Sequence, residues 1–329
     1  MTTINDIARL ANVSRSTVSR CLNDNGYVSE DARKRIMEVI EETGYMPSQS
    51  AKSLRTKKTG VIGVILPKIS TETASRVVSG INDVLQANQY QILLTDTSLQ
   101  KTKEIEFIRL LQSRNVDGII LLGTNKDQEL IQAIDQAQVP VVVLGQEIPV
   151  TTSVVYPDAQ ATSHMIEFML EKGYKKIGFI GAPETDPAVG ITRKKAYKET
   201  LAKHAISYRD EWVQTGDFAI ESGYEKMKQI MEESKDQRPD SVFVVTDNMA
   251  VGAIQYIKEQ NMQIPKDIAV AATGASTLSQ YIEPSLTTID FLNEEAGATT
   301  AQCLLDAIDG KKARKKMEHT YRLLIRNSV

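Results

Sequence analysis

Thr3-Ile4-Asn5-Asp6-Ile7-Ala8-Arg9-Leu10-Ala11-Asn12-Val13-Ser14-Arg15-Ser16-Thr17-Val18-Ser19-Arg20-Cys21-Leu22-Asn23 lies close to the start of the chain. Two short helical patterns meet there across a turn at Asn12-Val13. Ile4, Ile7, Ala8 and Ala11 fall at helical spacing, and Val13, Val18 and Leu22 close a small core against them. Thr3 is the expected N-cap of the first helix, with Asp6 favoured by the positive helix end; Ser14 is the expected cap of the second. Ser29-Glu30-Asp31 begins a third helix, whose Ile36, Val39 and Ile40 complete the core before Gly44 stops it. The second helix keeps Arg15, Ser16, Thr17, Ser19, Arg20 and Asn23 for water or a partner. A helix of that length and chemistry fits the major groove of duplex DNA. The same spacing also fits an ordinary capped helical hairpin with a solvated polar face.

The following stretch, Ser48-Gln49-Ser50-Ala51-Lys52-Ser53-Leu54-Arg55-Thr56-Lys57-Lys58, has four basic residues and no acidic one. As a helix it would be about 13 Å long at ~1.5 Å per residue, too short to be stable alone in water. Ser50, Ala51 and Leu54 share one face, on which two copies can pack. A Leu at such a seam is a wedge able to unstack a base step from the minor groove. The other reading is a flexible basic linker, and disorder that folds on DNA satisfies both.

Thr3 to Leu54 resembles the headpiece of the lactose-repressor/galactose-repressor (LacI/GalR) family. The marks are Ile4-Asn5-Asp6-Ile7-Ala8, Val13-Ser14, Ser16-Thr17-Val18-Ser19-Arg20, Leu22-Asn23, Gly44-Tyr45, Pro47-Ser48 and Ala51-Lys52-Ser53-Leu54. The resemblance implies that Arg15, Ser16 and Arg20 lie against base edges. Ser14, Thr17, Ser19 and Asn23 mix base and phosphate contacts, Thr3 and Arg55 join them, and Leu54 is the minor-groove wedge.

Composition agrees. The chain has 329 residues, enough for about two or three domains. Its net charge of −3 is uneven: residues 1–58 carry ten Lys/Arg against seven Asp/Glu, which leaves −6 for the rest. A basic head on an acidic body confines DNA contact to one end. Two cysteines, Cys21 and Cys303, make no disulfide framework and read as small buried residues in a reducing cytosol. No apolar run approaches the ~18 residues of a membrane span, and no targeting signal is visible, so a cytoplasmic location is expected. Only His164, His204 and His319 are available as histidines. With no glycine-rich phosphate loop, metal-spaced Cys/His cluster or nucleophile elbow, an enzyme is not expected, nor a metal or other cofactor.

From residue 60 the chain alternates apolar runs with amphipathic segments. Val61–Leu66, Gln91–Thr95, Gly118–Leu122 and Pro140–Leu144 read as buried parallel strands, with helices near 73–88, 101–115 and 127–138. The rhythm restarts with strands at 176–182, 242–246 and 268–272 and helices near 188–203, 221–235 and 249–261. This predicts an α/β body of two doubly wound lobes, with a ligand crevice at the carboxyl ends of their strands.

The body also resembles the family, whose effector domain is built like a periplasmic sugar-binding protein. Gly118-Ile119-Ile120, Gly173 to Gly181, Thr246 to Gly252 and Pro284 to Ile289 carry the likeness. It implies a helix-turn-helix headpiece over 1–46 and a hinge over 47–59. An N-lobe of 60–158 with 290–316 and a C-lobe of 159–289 with 317–329 follow, with chain crossings near Asp158, Asp290 and Met317. It also implies an effector site: Arg193 for hydroxyls or anionic groups, Phe218 as an aromatic wall, and Asp158 at a crossover; Lys68, Gln146, Thr246 and Gly274 are further candidates for that site. Arg193 as a surface ion pair and Phe218 as lobe core are the competing readings.

Thr246 and Thr273-Gly274-Ala275 stand where many relatives carry Asn and Asp for sugar hydroxyls, and Pro67 to Thr73 offers Lys68 instead of aromatics. These departures suggest an anionic effector, a phosphorylated sugar held by Lys68 and Arg193. The segments Gly181–Tyr197 and Thr273–Ile289 resemble the trehalose-repressor branch, which implies trehalose 6-phosphate, with sucrose-type repressors as close neighbours. The expected protein is a homodimeric, effector-gated repressor on a near-palindromic operator. A dimer rather than a tetramer is expected, since the sequence ends at Val329 without a leucine heptad. A neutral-sugar effector, a corepressor and a sugar receptor that binds no DNA are the alternatives.

Overall fold

A computed structural model describes residues 2–23, 26–45, 58–234, 237–311 and 315–329. The chain divides into two units, Met1–Thr59 and Gly60–Val329. The expected hinge wedge Leu54 and its neighbour Arg55 lie outside the described residues, as does the Asn23 side chain.

The first unit is three helices, α1 (Ile4–Leu10), α2 (Arg15–Asn23) and α3 (Glu30–Thr43). Their ends are set by the residues expected to set them. Thr3 and Asp6 form a capping box, in which the Asp6 amide donates to Thr3 Oγ1 (3.4 Å) and the Thr3 amide to Asp6 Oδ2 (3.0 Å). Ser14 Oγ accepts the Thr17 amide at 3.1 Å, and Ser29 Oγ accepts the Ala32 amide at 3.3 Å. Gly44 ends α3 at φ +60°, a left-handed position at which glycine carries no Cβ penalty. Ile7, Ala8, Ala11, Val18, Cys21 and Ile36 form the buried core.

The second unit holds two six-stranded sheets. In the first, β1 (Val61–Leu66), β2 (Gln91–Asp96), β3 (Gly118–Leu122), β4 (Val141–Leu144), β5 (Thr152–Val155) and β11 (Lys316–Glu318) take the order β11-β5-β4-β3-β1-β2, all parallel. In the second, β6 (Ile177–Gly181), β7 (Val213–Thr215), β8 (Ser241–Val244), β9 (Ala269–Thr273), β10 (Thr287–Asp290) and β12 (Arg322–Leu324) take the order β12-β10-β9-β8-β6-β7. Only β12 runs antiparallel there. The expected α/β pair of lobes is thus present. The short strands β5, β7, β11 and β12 carry no apolar run of their own, and their pairing is decided by the lobes, not by the local pattern.

The helices of the first lobe are α4 (Glu72–Ala87), α5 (Lys101–Ser113) and α6 (Gln128–Asp135). The second lobe has α7 (Asp158–Glu171), α8 (Arg193–Lys203) after a π-helical turn over Pro187–Thr192, α9 (Ile220–Glu233), α10 (Asp247–Glu259) and the short α11 (Leu278–Tyr281). The chain then returns to the first lobe as α12 (Asn293–Ile308), packed on α4. These two helices approach so closely that a Cβ on Gly80 would sit 1.8 Å from the Glu294 carbonyl oxygen, and one on Gly297 2.2 Å from that of Val77.

The crossings differ from expectation by a residue or two. Asp158 opens α7 in the second lobe, and Asp290 still belongs to β10 there. Met317, expected in the second lobe, pairs with Val154 in the first sheet, because β11 extends that sheet's edge before the chain crosses. Cys303 is half-buried rather than buried, with its Sγ 3.3 Å from Met317 Sδ.

Candidate functional site

The polar face of α2 follows from its caps and its core. Val18 and Cys21 turn inward, so Arg15, Ser16 and Arg20 are exposed and Thr17 and Ser19 half-buried. Arg15 and Arg20 have no ion-pair partner among the described residues. Ser14 Oγ lies 2.7 Å from Ser16 Oγ and 2.8 Å from Thr17 Oγ1. The hydroxyls of Thr3 and Ser14, expected to meet DNA, are thus already engaged in holding helix ends. Thr3 fixes the start of α1 and Ser14 that of α2, whose positive end suits a phosphate.

In the second unit a cleft opens between the lobes at the carboxyl ends of their strands, where doubly wound sheets bind ligands. Lys68 follows β1, Thr124 follows β3, Gln146 follows β4, Asp186 lies beyond β6, Thr246 follows β8 and Gly274 follows β9. Lys68, Gln146, Asp158, Arg193, Phe218, Thr246 and Gly274 all line this one cleft.

Their chemistry departs from expectation in three places. Arg193 is buried, and its guanidinium is committed: Nε donates to Asp158 Oδ1 at 2.7 Å and Nη1 to the Val245 carbonyl at 2.8 Å. Its carbon also lies 5.3 Å from the Phe291 ring centre. Burial pushes the Asp158 carboxyl up, and the Arg193 charge opposes that shift. Arg193 is therefore ion-paired with Asp158, while its Nη2 makes no hydrogen bond among the described residues. Thr246 spends its hydroxyl as N-cap of α10, accepting the Met249 amide at 3.4 Å. Gly274 has no side chain to offer; at φ +144° it passes within 3.2 Å of the Asp247 carboxyl carbon, measured from the position of a Cβ.

Phe218, at φ +74° between β7 and α9, lines the cleft together with Phe291 and Tyr156. The Tyr156 and Phe291 rings lie tilted at 41° with centres 5.0 Å apart, and Tyr156 Oη donates to Asn293 Oδ1 at 2.9 Å.

Of the groups that join the lobes, sequence reasoning named Gln146 and missed Arg76, Glu72 and Asp186. Arg76 of α4 donates from Nη1 to the carbonyls of Gly274 (3.4 Å) and Ala275 (3.2 Å), and from Nη2 to Asp290 Oδ1 (3.3 Å). Glu72 Oε1 accepts the Thr277 amide (2.7 Å) and hydroxyl (2.9 Å). Gln146 Nε2 donates to Asp186 Oδ1 across the cleft at 2.9 Å. Glu72 and Asp186 both follow strand ends, so the crevice rule applied at every strand would have found them. Arg76, a turn inside a helix, gave no such signal.

The cleft is acidic. Lys68 and Arg193 face Glu72, Asp158, Asp186 and Asp247. Burial pushes the Asp186 and Asp247 carboxyls up. Asp247 is fully occupied, with Thr288 Oγ1 donating to Oδ1 and the Ser276 amide to Oδ2, each at 2.6 Å. Among the described residues two buried side-chain atoms have no hydrogen-bond partner, Gln146 Oε1 and Thr273 Oγ1, and both residues line the cleft.

Comparison with known proteins follows the same division. Residues 3–48 match the profile of bacterial regulatory proteins of the lacI family, and residues 166–329 that of a periplasmic binding protein-like domain. Catabolite control protein A of Priestia megaterium is 32% identical over 307 residues, covering 92% of this chain and 91% of the relative. The probable HTH-type transcriptional repressor ExuR of Bacillus subtilis (strain 168) is 31% identical over 338 residues, covering 100% and 98%. The lac repressor dimer bound to operator and the anti-inducer ONPF superposes with a TM-score of 0.91 at 23% identity, covering 99% of this chain and 98% of that one, a likeness of fold.

Proposed function

The chain belongs to the LacI family of bacterial transcription regulators, and on that premise we propose that it is a homodimeric repressor whose grip on operator DNA changes when a sugar occupies the cleft between its lobes. It is a DNA-binding regulator, not an enzyme. The observation that carries the proposal is the α2 face, where Arg15 and Arg20 stand exposed without ion-pair partners among the described residues while caps and core fix the helix beneath them. Two such faces, related by a two-fold axis, read two half-sites about one helical turn apart, and the segment around Leu54 kinks the centre between them. The sugar biases two arrangements of the lobes. A hundredfold change in operator affinity needs about 2.8 kcal/mol of coupling, hence a ligand that prefers one arrangement a hundredfold.

The test is to recover bound fragments from genomic DNA and titrate the recovered duplex by fluorescence anisotropy, with and without sugars. Base-specific binding that a sugar alters supports the proposal. Equal binding to scrambled duplexes ends it.

The cleft suits a sugar ring. Phe218, Phe291 and Tyr156 cover an apolar face, and carboxyl and amide oxygens accept from hydroxyls. A phosphorylated sugar, trehalose 6-phosphate included, is the second reading. It is favoured by Lys68, exposed at the cleft and without an ion-pair partner among the described residues. The commitment of Arg193 to Asp158 and the surplus of carboxylates weigh against it. Calorimetric titration with trehalose and trehalose 6-phosphate separates the two: tighter binding of the neutral sugar removes the phosphate.

A further inference from the structure

Part of the cleft is lined with hydrogen-bond acceptors that pair with no side-chain cation among the described residues. Gln146 is 1% exposed; its Nε2 donates to Asp186 Oδ1 at 2.9 Å, while Oε1 is buried with no donor among the described residues. The Asp186 carboxylate fixes that orientation, because the reversed amide would set oxygen against oxygen. Asp186 also takes the amides of Ala188 (3.1 Å) and Val189 (3.2 Å), again through Oδ1. Its Oδ2 receives no hydrogen bond among the described residues.

Beneath Thr124, on the other lobe, Glu104 is 1% exposed. Its Oε1 accepts the Thr124 amide (3.0 Å) and hydroxyl (2.7 Å), and its Oε2 the Asn125 Nδ2 (2.6 Å). The Asp186 charge reaches Glu104 and adds to burial in pushing that carboxyl up. The Asp158 charge acts the same way on Asp186, although Arg193 opposes it. The cations nearby are engaged elsewhere, Arg193 with Asp158 (2.7 Å) and Lys101 with Asp127 (3.1 Å).

A buried acceptor without a donor, beside two carboxyls that form no ion pair among the described residues, is costly unless a donor meets it. A hydroxyl brings one donor and no charge. A phosphate brings only acceptors and more negative charge. An ammonium brings three donors and the missing positive charge.

We propose that this part of the cleft, formed by Gln146 Oε1 and Asp186 Oδ2 and backed by Glu104, holds a protonated amine, so that the effector is an amino sugar. The proposal rests on the assignment of the cleft as the ligand site and narrows its ligand. Asp186 carries the direct charge-assisted hydrogen bond, and Glu104 supplies charge through Thr124.

The experiment is calorimetric titration of the full chain with matched sets: glucosamine, glucose and glucose 6-phosphate, then the galactose and trehalose counterparts. In at least one set the amine binds about tenfold or more tightly than its neutral partner, and Asp186→Asn brings the two within about threefold. Circular dichroism checks that the variant is folded, and the wild-type comparison stands without it. A neutral or phosphorylated member that matches or exceeds the amine in every set overturns the proposal, as does the absence of binding by any amine. A preference that survives in folded Asp186→Asn overturns it too. Release from operator DNA by a neutral sugar, with no amine bound, leaves the repressor standing and removes this inference. An amine that binds the cleft without altering DNA affinity does the reverse.

Discussion

Replacing Glu104 by Gln should change how the stability of the body depends on pH. Burial lifts the Glu104 carboxyl from its ordinary 4.5 to about 7, with the hydrogen bonds from Thr124 and the charge of Lys101 pulling down and the charge of Asp186 pushing up. The folded value lies above the unfolded one. The stability it contributes is therefore complete below pH 4.5 and lost as pH rises through about 7. Between about pH 5 and about pH 8 that loss amounts to about 2–3 kcal/mol, at ~1.4 kcal/mol per pKa unit. Glu104→Gln cannot ionise and lacks this slope. Urea unfolding of both proteins at the two pH values gives a double difference in which the other titrating groups largely cancel. The variant gains on the wild type by about 2–3 kcal/mol as pH rises, even if it starts less stable from a poorer match to Asn125. A double difference below about 0.5 kcal/mol would refute the raised carboxyl and the electrostatic strain beneath the cleft.

Four other outcomes follow from the same structure. Ser14→Ala removes the cap of α2 and should cost about 1 kcal/mol of headpiece stability, read as a lower melting point of the first transition; an unchanged melt makes the cap dispensable. Arg15→Ala should relax base preference within each half-site by about 1–3 kcal/mol, whereas uniform loss on all duplexes would make Arg15 a phosphate contact. Arg193→Ala leaves Asp158 buried without its partner, and should cost about 3–5 kcal/mol in denaturant unfolding and abolish ligand heat in calorimetry. Gly297→Val places a side chain against the Val77 carbonyl and should force α12 from α4, lowering the thermal midpoint of the body while DNA-only contacts of the headpiece persist.

The two ends of the chain differ in how much their sequence disclosed. The headpiece is local: Thr3, Ser14, Ser29 and Gly44 mark helix ends within three or four residues, and the structure uses each of them so. The cleft is non-local. Strand ends announced Lys68, Gln146 and Gly274, but what Arg193 does depends on Asp158 and Val245, which lie 35 and 52 positions away. A single sequence carries no sign of such commitments. Arg193 thus read as an available cation, and Thr246 as a lost ligand rather than a helix cap. Arg76 shows the same limit, since its partners Gly274 and Asp290 sit on the other lobe. The short edge strands β7, β11 and β12 were invisible for the related reason that pairing, not periodicity, makes them.

The most direct measurement is the affinity of the full chain for its recovered duplex, by anisotropy at fixed salt, with and without the tightest calorimetric sugar. Wild type should shift by about a hundredfold with ligand, and Arg193→Ala should hold the DNA yet ignore the sugar. A sugar that fills the cleft in calorimetry while the wild-type curve on DNA stays fixed would contradict the coupling of cleft to headpiece.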